Sequence, residues 1–141
     1  MVDYKEKIYL TGRGLEKLKK EHERLLETRN TKDEDPENLV LINQRFEELN
    51  TILKTYELIK TPPKHKQHIV SLGATVVVEI DGQIDEFTIV GTLEANPSLG
   101  RISNESPVGR ALLDRRTGEE VIISSSIKTI IYKIKEIKYE P

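Results

Sequence analysis

Asp33, Glu34, Asp35 and Glu37 place four carboxylates within five consecutive positions, with Pro36 among them and Asn38 next in line. Side chains of this type and spacing support two kinds of chemistry. They can help hold a hard cation such as Mg²⁺, which takes oxygen ligands, or they can carry negative charge into another molecule's cleft. A solvated turn has the same composition, and acids ahead of a helix also interact favourably with its dipole. The rest of the chain offers no self-contained active site: no supported Ser-His-Asp constellation, no glycine-rich phosphate loop and no metal cage. His65 and His68 lack a third ligand at metal spacing, and His22 falls in a core-type slot of a helical pattern. There is no cysteine, which excludes disulfides, thiolate metal sites and a cysteine nucleophile. The chain alone is therefore expected to be catalytically inert.

The acids lie between two segments with helical spacing. Leu15, Leu18, Leu25 and Leu26 predict a helix over residues 11–29, opened by Thr11 or Gly12. Leu39, Ile42, Phe46, Leu49, Leu53 and Tyr56, widened by Ile52 and Ile59, predict a second helix running to the Pro62-Pro63 pair, which cannot continue it. Neither helix can bury its stripe alone. Joined by a short loop, they are expected to pack as an antiparallel hairpin about 30 Å long, with the acids at its tip.

Beyond residues 61–70 the apolar period becomes two. Residues 74–80 and 84–92 read as strands joined by the hairpin dipeptide Asp81-Gly82. Ser106-Pro107 is an N-cap followed by proline at the first helical position, and opens a short helix through Leu113. Residues 120–124 and 127–139 read as further strands. This half is a small α+β domain, so the whole chain is α+β with a helical hairpin in front.

The 141 residues are 36% apolar and 33% charged, a balance that suits an elongated, surface-rich element. Net charge is −2 and pI about 6.0, so no overall basic field draws the chain onto free nucleic acid. No apolar run approaches membrane-span length, and the first ten residues lack a signal-peptide core. A soluble, cytoplasmic protein that works on a protein or ribonucleoprotein partner is expected.

Three blocks resemble one bacterial family. Leu10-Thr11, Arg13-Gly14-Leu15-Glu16-Lys17-Leu18 is similar to the opening of the first helix of the Gre transcript-cleavage factors. Leu72-Gly73-Ala74-Thr75-Val76 resembles the start of their second domain. Ile102-Ser103, Ser106-Pro107-Val108-Gly109-Arg110-Ala111-Leu112-Leu113 and Gly118, Glu120-Val121 resemble their most recognisable motif. The resemblance implies an N-terminal antiparallel coiled-coil hairpin over residues 1–64, tip near 30–38, and a C-terminal FKBP-like domain over 70–141. It also implies a partner, RNA polymerase, with nucleic acid met only through the elongation complex. The C-terminal domain would dock at the rim of the secondary channel and the hairpin would enter it. Tip acids would then help bind Mg²⁺ shared with the polymerase active site, and backtracked RNA would be cut.

The closest match to the family's tip is Glu34-Asp35-Pro36-Glu37-Asn38. Glu34 stands on the first acid, Asp35 is an offset alternative, and Glu37-Asn38 matches the second acid and its asparagine. Val40 and Leu41 replace a third acid and a tyrosine, and read as hairpin packing. Candidate docking residues are Pro107, Val108, Gly109, Arg110, Arg115 and Arg116, while Leu112 and Leu113 read as core. Both arms are shorter than the family's by about ten residues, or roughly 15 Å of helix. That deficit keeps open an alternative: a short-armed channel binder that does not cleave, like the regulators of nucleoside diphosphate kinase. A prolyl isomerase is suggested by topology alone, and the C-terminal half has too few aromatics for such a pocket.

Overall fold

The computed structural model describes residues 7–31 and 35–140. The elements run β1 (Ile8–Leu10), α1 (Gly12–Arg29), α2 (Pro36–Thr55), β2 (Tyr56–Leu58), β3 (Thr75–Ile80), β4 (Gln83–Val90), β5 (Arg101–Ser103), α3 (Pro107–Leu112), β6 (Glu120–Ser124) and β7 (Thr129–Lys138). Short 3₁₀ turns at Lys64–Lys66, Thr92–Glu94 and Pro97–Leu99 punctuate the connections.

Helix α1 starts where the periodicity predicts. Thr11 is extended and its hydroxyl accepts the Gly14 N–H, the usual work of an N-cap. The stripes of α1 and α2 meet as an antiparallel hairpin in which Leu10, Leu15, Leu49 and Ile52 are buried, flanked by Leu18, Leu25, Leu53 and Tyr56. Further along, Phe46 is buried under His22, whose ring stacks on it with centroids 4.6 Å apart. His22 Nε2 also lies 2.8 Å from Asn50 Oδ1, so the histidine is a satisfied seam residue, as its slot predicts. Val40 and Leu41 do not pack in the hairpin: they are 57% and 64% exposed. The seam follows Leu39, Ile42, Phe46 and Leu49, and residues 40 and 41 are turned away from it by the helical repeat.

The second helix ends earlier than its apolar stripe predicts. Helix α2 stops at Thr55 and Tyr56 is extended, at φ −69° and ψ 155°. Residues 56–58 pair in parallel with residues 8–10, with Ile8 opposite Tyr56 and Leu10 opposite Leu58. Neither three-residue strand is visible from its own segment, because each needs the other as a partner. Pairing across the chain here outweighs a helix propensity worth only tenths of a kcal/mol per residue.

The second half forms one five-stranded sheet in the order β5-β4-β3-β7-β6. All neighbours are antiparallel except β4 and β5. Asp81 and Gly82 both take positive φ, the requirement of the tight turn their pairing predicts. Val76, Val78, Ile89, Val121, Tyr132 and Ile134 point to one face, where Leu112 and Leu113 of the α3 segment close the core. Along β7 and just past its end the buried positions shift from Tyr132 and Ile134 to the half-buried Ile137 and Tyr139. A register shift causes this: Val77 faces Glu136 while Val78 faces Ile134, so Lys135 is the extra residue of a bulge. That bulge reconciles a broken alternation with one continuous strand.

Candidate functional site

At the hairpin tip, Asp35 caps α2: its Oδ1 accepts the Glu37 N–H at 3.2 Å, and Pro36 follows in the first helical turn. Asp35, Glu37 and Asn38 are exposed together on this first turn. Asp33 and Glu34 lie outside the described residues. Among the described residues no group of three or more His, Cys, Asp or Glu could hold a metal ion. One oxygen of Asp35 is used as a cap, and the carboxylate of Glu37 is exposed beside it.

Polar contacts across the seam and along α2 line the arm that carries this tip. Arg45 Nε and Nη2 both reach the Glu21 carboxylate, at 2.9 and 2.8 Å, and Nη1 reaches Glu48 at 3.1 Å. The hydrogen bonds from Arg45 hold the Glu21 carboxyl below the usual range, against the opposing effect of partial burial. Nearer the tip, the Arg29 guanidinium lies 5.0 Å from the centre of the Phe46 ring.

The predicted docking residues are gathered on α3 and the turn after it, and they divide in role. Pro107, Arg110, Arg115 and Arg116 are exposed. Arg115 is paired with Glu119 at 3.6 Å, and its Nε donates to the Ala111 carbonyl. Val108 packs partly against the core and Gly109 is buried. A Cβ at position 109 would overlap the Ser103 carbonyl oxygen, so this glycine serves a close backbone approach. Leu112 and Leu113 are core, as their apolar spacing predicts. Ser106 caps α3 by accepting the Gly109 N–H at 3.1 Å.

One residue at the base of the arm was not singled out from sequence. Glu94, in the turn after β4, accepts from the Thr11 backbone N–H at 2.7 Å, from the Thr11 hydroxyl at 2.5 Å and from Arg101 at 3.2 Å. Its side chain is 11% exposed. The only local hint was Gly14 in the first turn of α1, where glycine costs a helix about 1 kcal/mol relative to alanine. A Cβ there would overlap the Glu94 carboxylate.

Comparison with known proteins fits this architecture. Residues 65–139 match the family described as "Transcription elongation factor, GreA/GreB, C-term". The transcription elongation factor GreA of Thermomicrobium roseum is 39% identical, over 95% of this chain and 99% of its own length. The chain belongs to the GreA/GreB family. Within that family, GreA of Mycoplasma capricolum subsp. capricolum is 30% identical across 94% of this chain and 99% of its own. A solved structure of a prokaryotic transcription elongation factor GreA/GreB from Nitrosomonas europaea aligns with a TM-score of 0.48 and 22% identity, over 94% of this chain and 100% of that one. The T. roseum alignment spans 154 positions against the 141 residues of this family member, so at least 13 of the relative's positions have no counterpart here.

Proposed function

We propose that this GreA/GreB-family elongation factor binds RNA polymerase at its secondary channel and modulates or rescues backtracked complexes. Residues 70–141 would act as the docking domain at the channel rim and residues 1–64 as the arm that enters it, in the cytoplasm where polymerase works. The observation that carries this reading is that the likeness to GreA spans both parts of the chain, hairpin as well as sheet. Among the described residues no helix is long and apolar enough to cross a membrane, which suits such a partner.

On the cleavage form of this reading the polymerase owns the active site. Mg²⁺ in such a site polarises a phosphate oxygen and lowers the pKa of a water. This chain would contribute only carboxylate oxygens, from Glu37 with Asp35 or Glu34 beside it, and Asn38 as a neutral hydrogen-bonding neighbour. The protein alone would have no activity.

A second reading, a channel binder that does not cleave, is favoured by arm length. The 18 residues of α1 and 20 of α2 correspond to about 27 and 30 Å of helix. Should the unmatched positions of the relative fall in its two arms, the tip here stops several ångströms higher in the channel. Metal ligands must lie within about 2–2.5 Å of their ion, a tolerance too fine for side-chain flexibility to recover such a deficit.

RNA cleavage in a stalled, backtracked elongation complex separates the two. Stimulation that both Glu34→Ala and Glu37→Ala abolish establishes the cleavage reading. No stimulation, together with competition against a long-armed cleavage factor, establishes the non-cleaving one. The absence of both stimulation and competition would overturn the proposal.

A further inference from the structure

We infer that Glu94 is a positioning residue: its carboxylate clasps the first turn of α1 to the globular sheet and so sets the direction in which the hairpin points. The arm and the globular part have separate cores, and β1 links them. Tyr9 is buried in the sheet's core, while Leu10, the next residue and so on the opposite face of a strand, is buried in the hairpin's. The paired strand β2 crosses beside it, with Tyr56 on the hairpin's core and Ile59, just past its end, on the sheet's, and the first turn of α1, from Thr11 and Gly12, begins just beyond this pairing. A Cβ at Gly12 would meet nothing within 4 Å, so this glycine itself is not wedged in place.

Glu94 adds a side-chain tie at the helix start itself, beyond the strand pairing. The Thr11 hydroxyl gives its one proton to Glu94 and uses a lone pair to accept the Gly14 N–H at 3.0 Å, so the cap of α1 and the clasp share one atom. The Thr11 N–H is the second tie, and Arg101 on β5 fixes the carboxylate from the sheet side. A carboxylate so little exposed needs these partners, and the positive end of the α1 dipole adds to them. Gly14 leaves the space in which the carboxylate sits. Direction follows from this geometry, because swinging the helix start away from the turn at Thr92–Glu94 breaks both hydrogen bonds from Thr11 and leaves the carboxylate only Arg101.

The consequence for activity rests on the channel-binding reading, because an arm that must enter a channel binds in proportion to the fraction of molecules whose arm is aligned. The cysteine-free chain permits Glu47→Cys and Ile122→Cys, both exposed, to carry a pair of spin labels, one on α2 and one on β6. The unmodified joint should give a single narrow distance distribution. Glu94→Ala should broaden or shift it, and so should Gly14→Ala, which expels the carboxylate while raising the helix propensity of α1. Glu94→Gln, which keeps an acceptor for the Thr11 N–H, should restore most of the narrow distribution. In competition with a long-armed factor for polymerase, the two disruptive variants should lose about tenfold in apparent affinity if the aligned fraction falls to about a tenth.

An unchanged distribution in both Glu94→Ala and Gly14→Ala would overturn the clasp. A broadened distribution with unchanged competition would overturn its positioning role. If the parent protein itself fails to compete, the channel-binding reading falls, and the spin-label distances still decide whether the clasp fixes the joint.

Discussion

Glu21 and Arg45 bring a bidentate pair across the hairpin seam, 24 positions apart in sequence and the most elaborate ion pair of the arm. Arg45 is 42% and Glu21 27% exposed, so solvent screens the pair and it should contribute about 0.5–1 kcal/mol. Its pH dependence has a definite sign. The hydrogen bonds from Arg45 lower the folded-state pKa of Glu21 below its ordinary value of 4.5. The pair's contribution is therefore complete above that value and is lost as pH falls through the lower folded one. Urea denaturation from pH 7 down to pH 3 should show Arg45→Met destabilising the arm at neutral pH, with the gap to the parent closing at the acid end. At the same scale, sequence reading succeeded where a residue's role is local. Thr11 and Ser106 cap the helices they precede. It missed Glu94, whose partner Thr11 is 83 positions away.

The hairpin is the element with least to spare. Its buried set is Leu10, Leu15, Leu49 and Ile52, with Phe46 nearer the tip, whereas the sheet buries a core several times larger. Leu49 is fully buried at the centre of that small set. Leu49→Ala should cost the arm about 3–5 kcal/mol through lost transfer energy and a cavity. Such a loss is comparable to the whole stability of a hairpin this size, about 2–6 kcal/mol at 0.05–0.15 kcal/mol per residue. Amide hydrogen exchange should then show α1 and α2 losing protection while β3, β4 and β7 keep theirs; equal loss in both parts would mean that the joint makes them one cooperative unit. Strands β3, β4, β6 and β7 were legible because alternation and the Asp81-Gly82 turn are local signals, whereas the three-residue β5 was not. The early end of α2 was not, because Tyr56–Leu58 becomes a strand only against Ile8–Leu10.

For the molecule as a whole, the small net charge of −2 hides a local asymmetry. Acids crowd the tip, while Arg110, Arg115 and Arg116 are exposed around α3. Where α3 faces an acidic rim, replacing Arg110 and Arg116 by Glu should slow association with polymerase by about tenfold at low salt. The difference should shrink near 1 M salt, where the screening length is about 3 Å. Surface plasmon resonance across a salt series measures this directly, and equal rates for parent and variant at low salt would move the docking surface away from these arginines. The sequence by itself determined the helical hairpin, the α+β second half and the family, because apolar period, caps, turn dipeptides and the Ser-Pro block are carried by residues close together in the chain. Only the tertiary structure decided where α2 stops, how β1 and β2 join the two parts, and that one carboxylate from the sheet grips the first turn of the arm. Those depend on pairings between residues tens of positions apart, and their partners leave no local period to read.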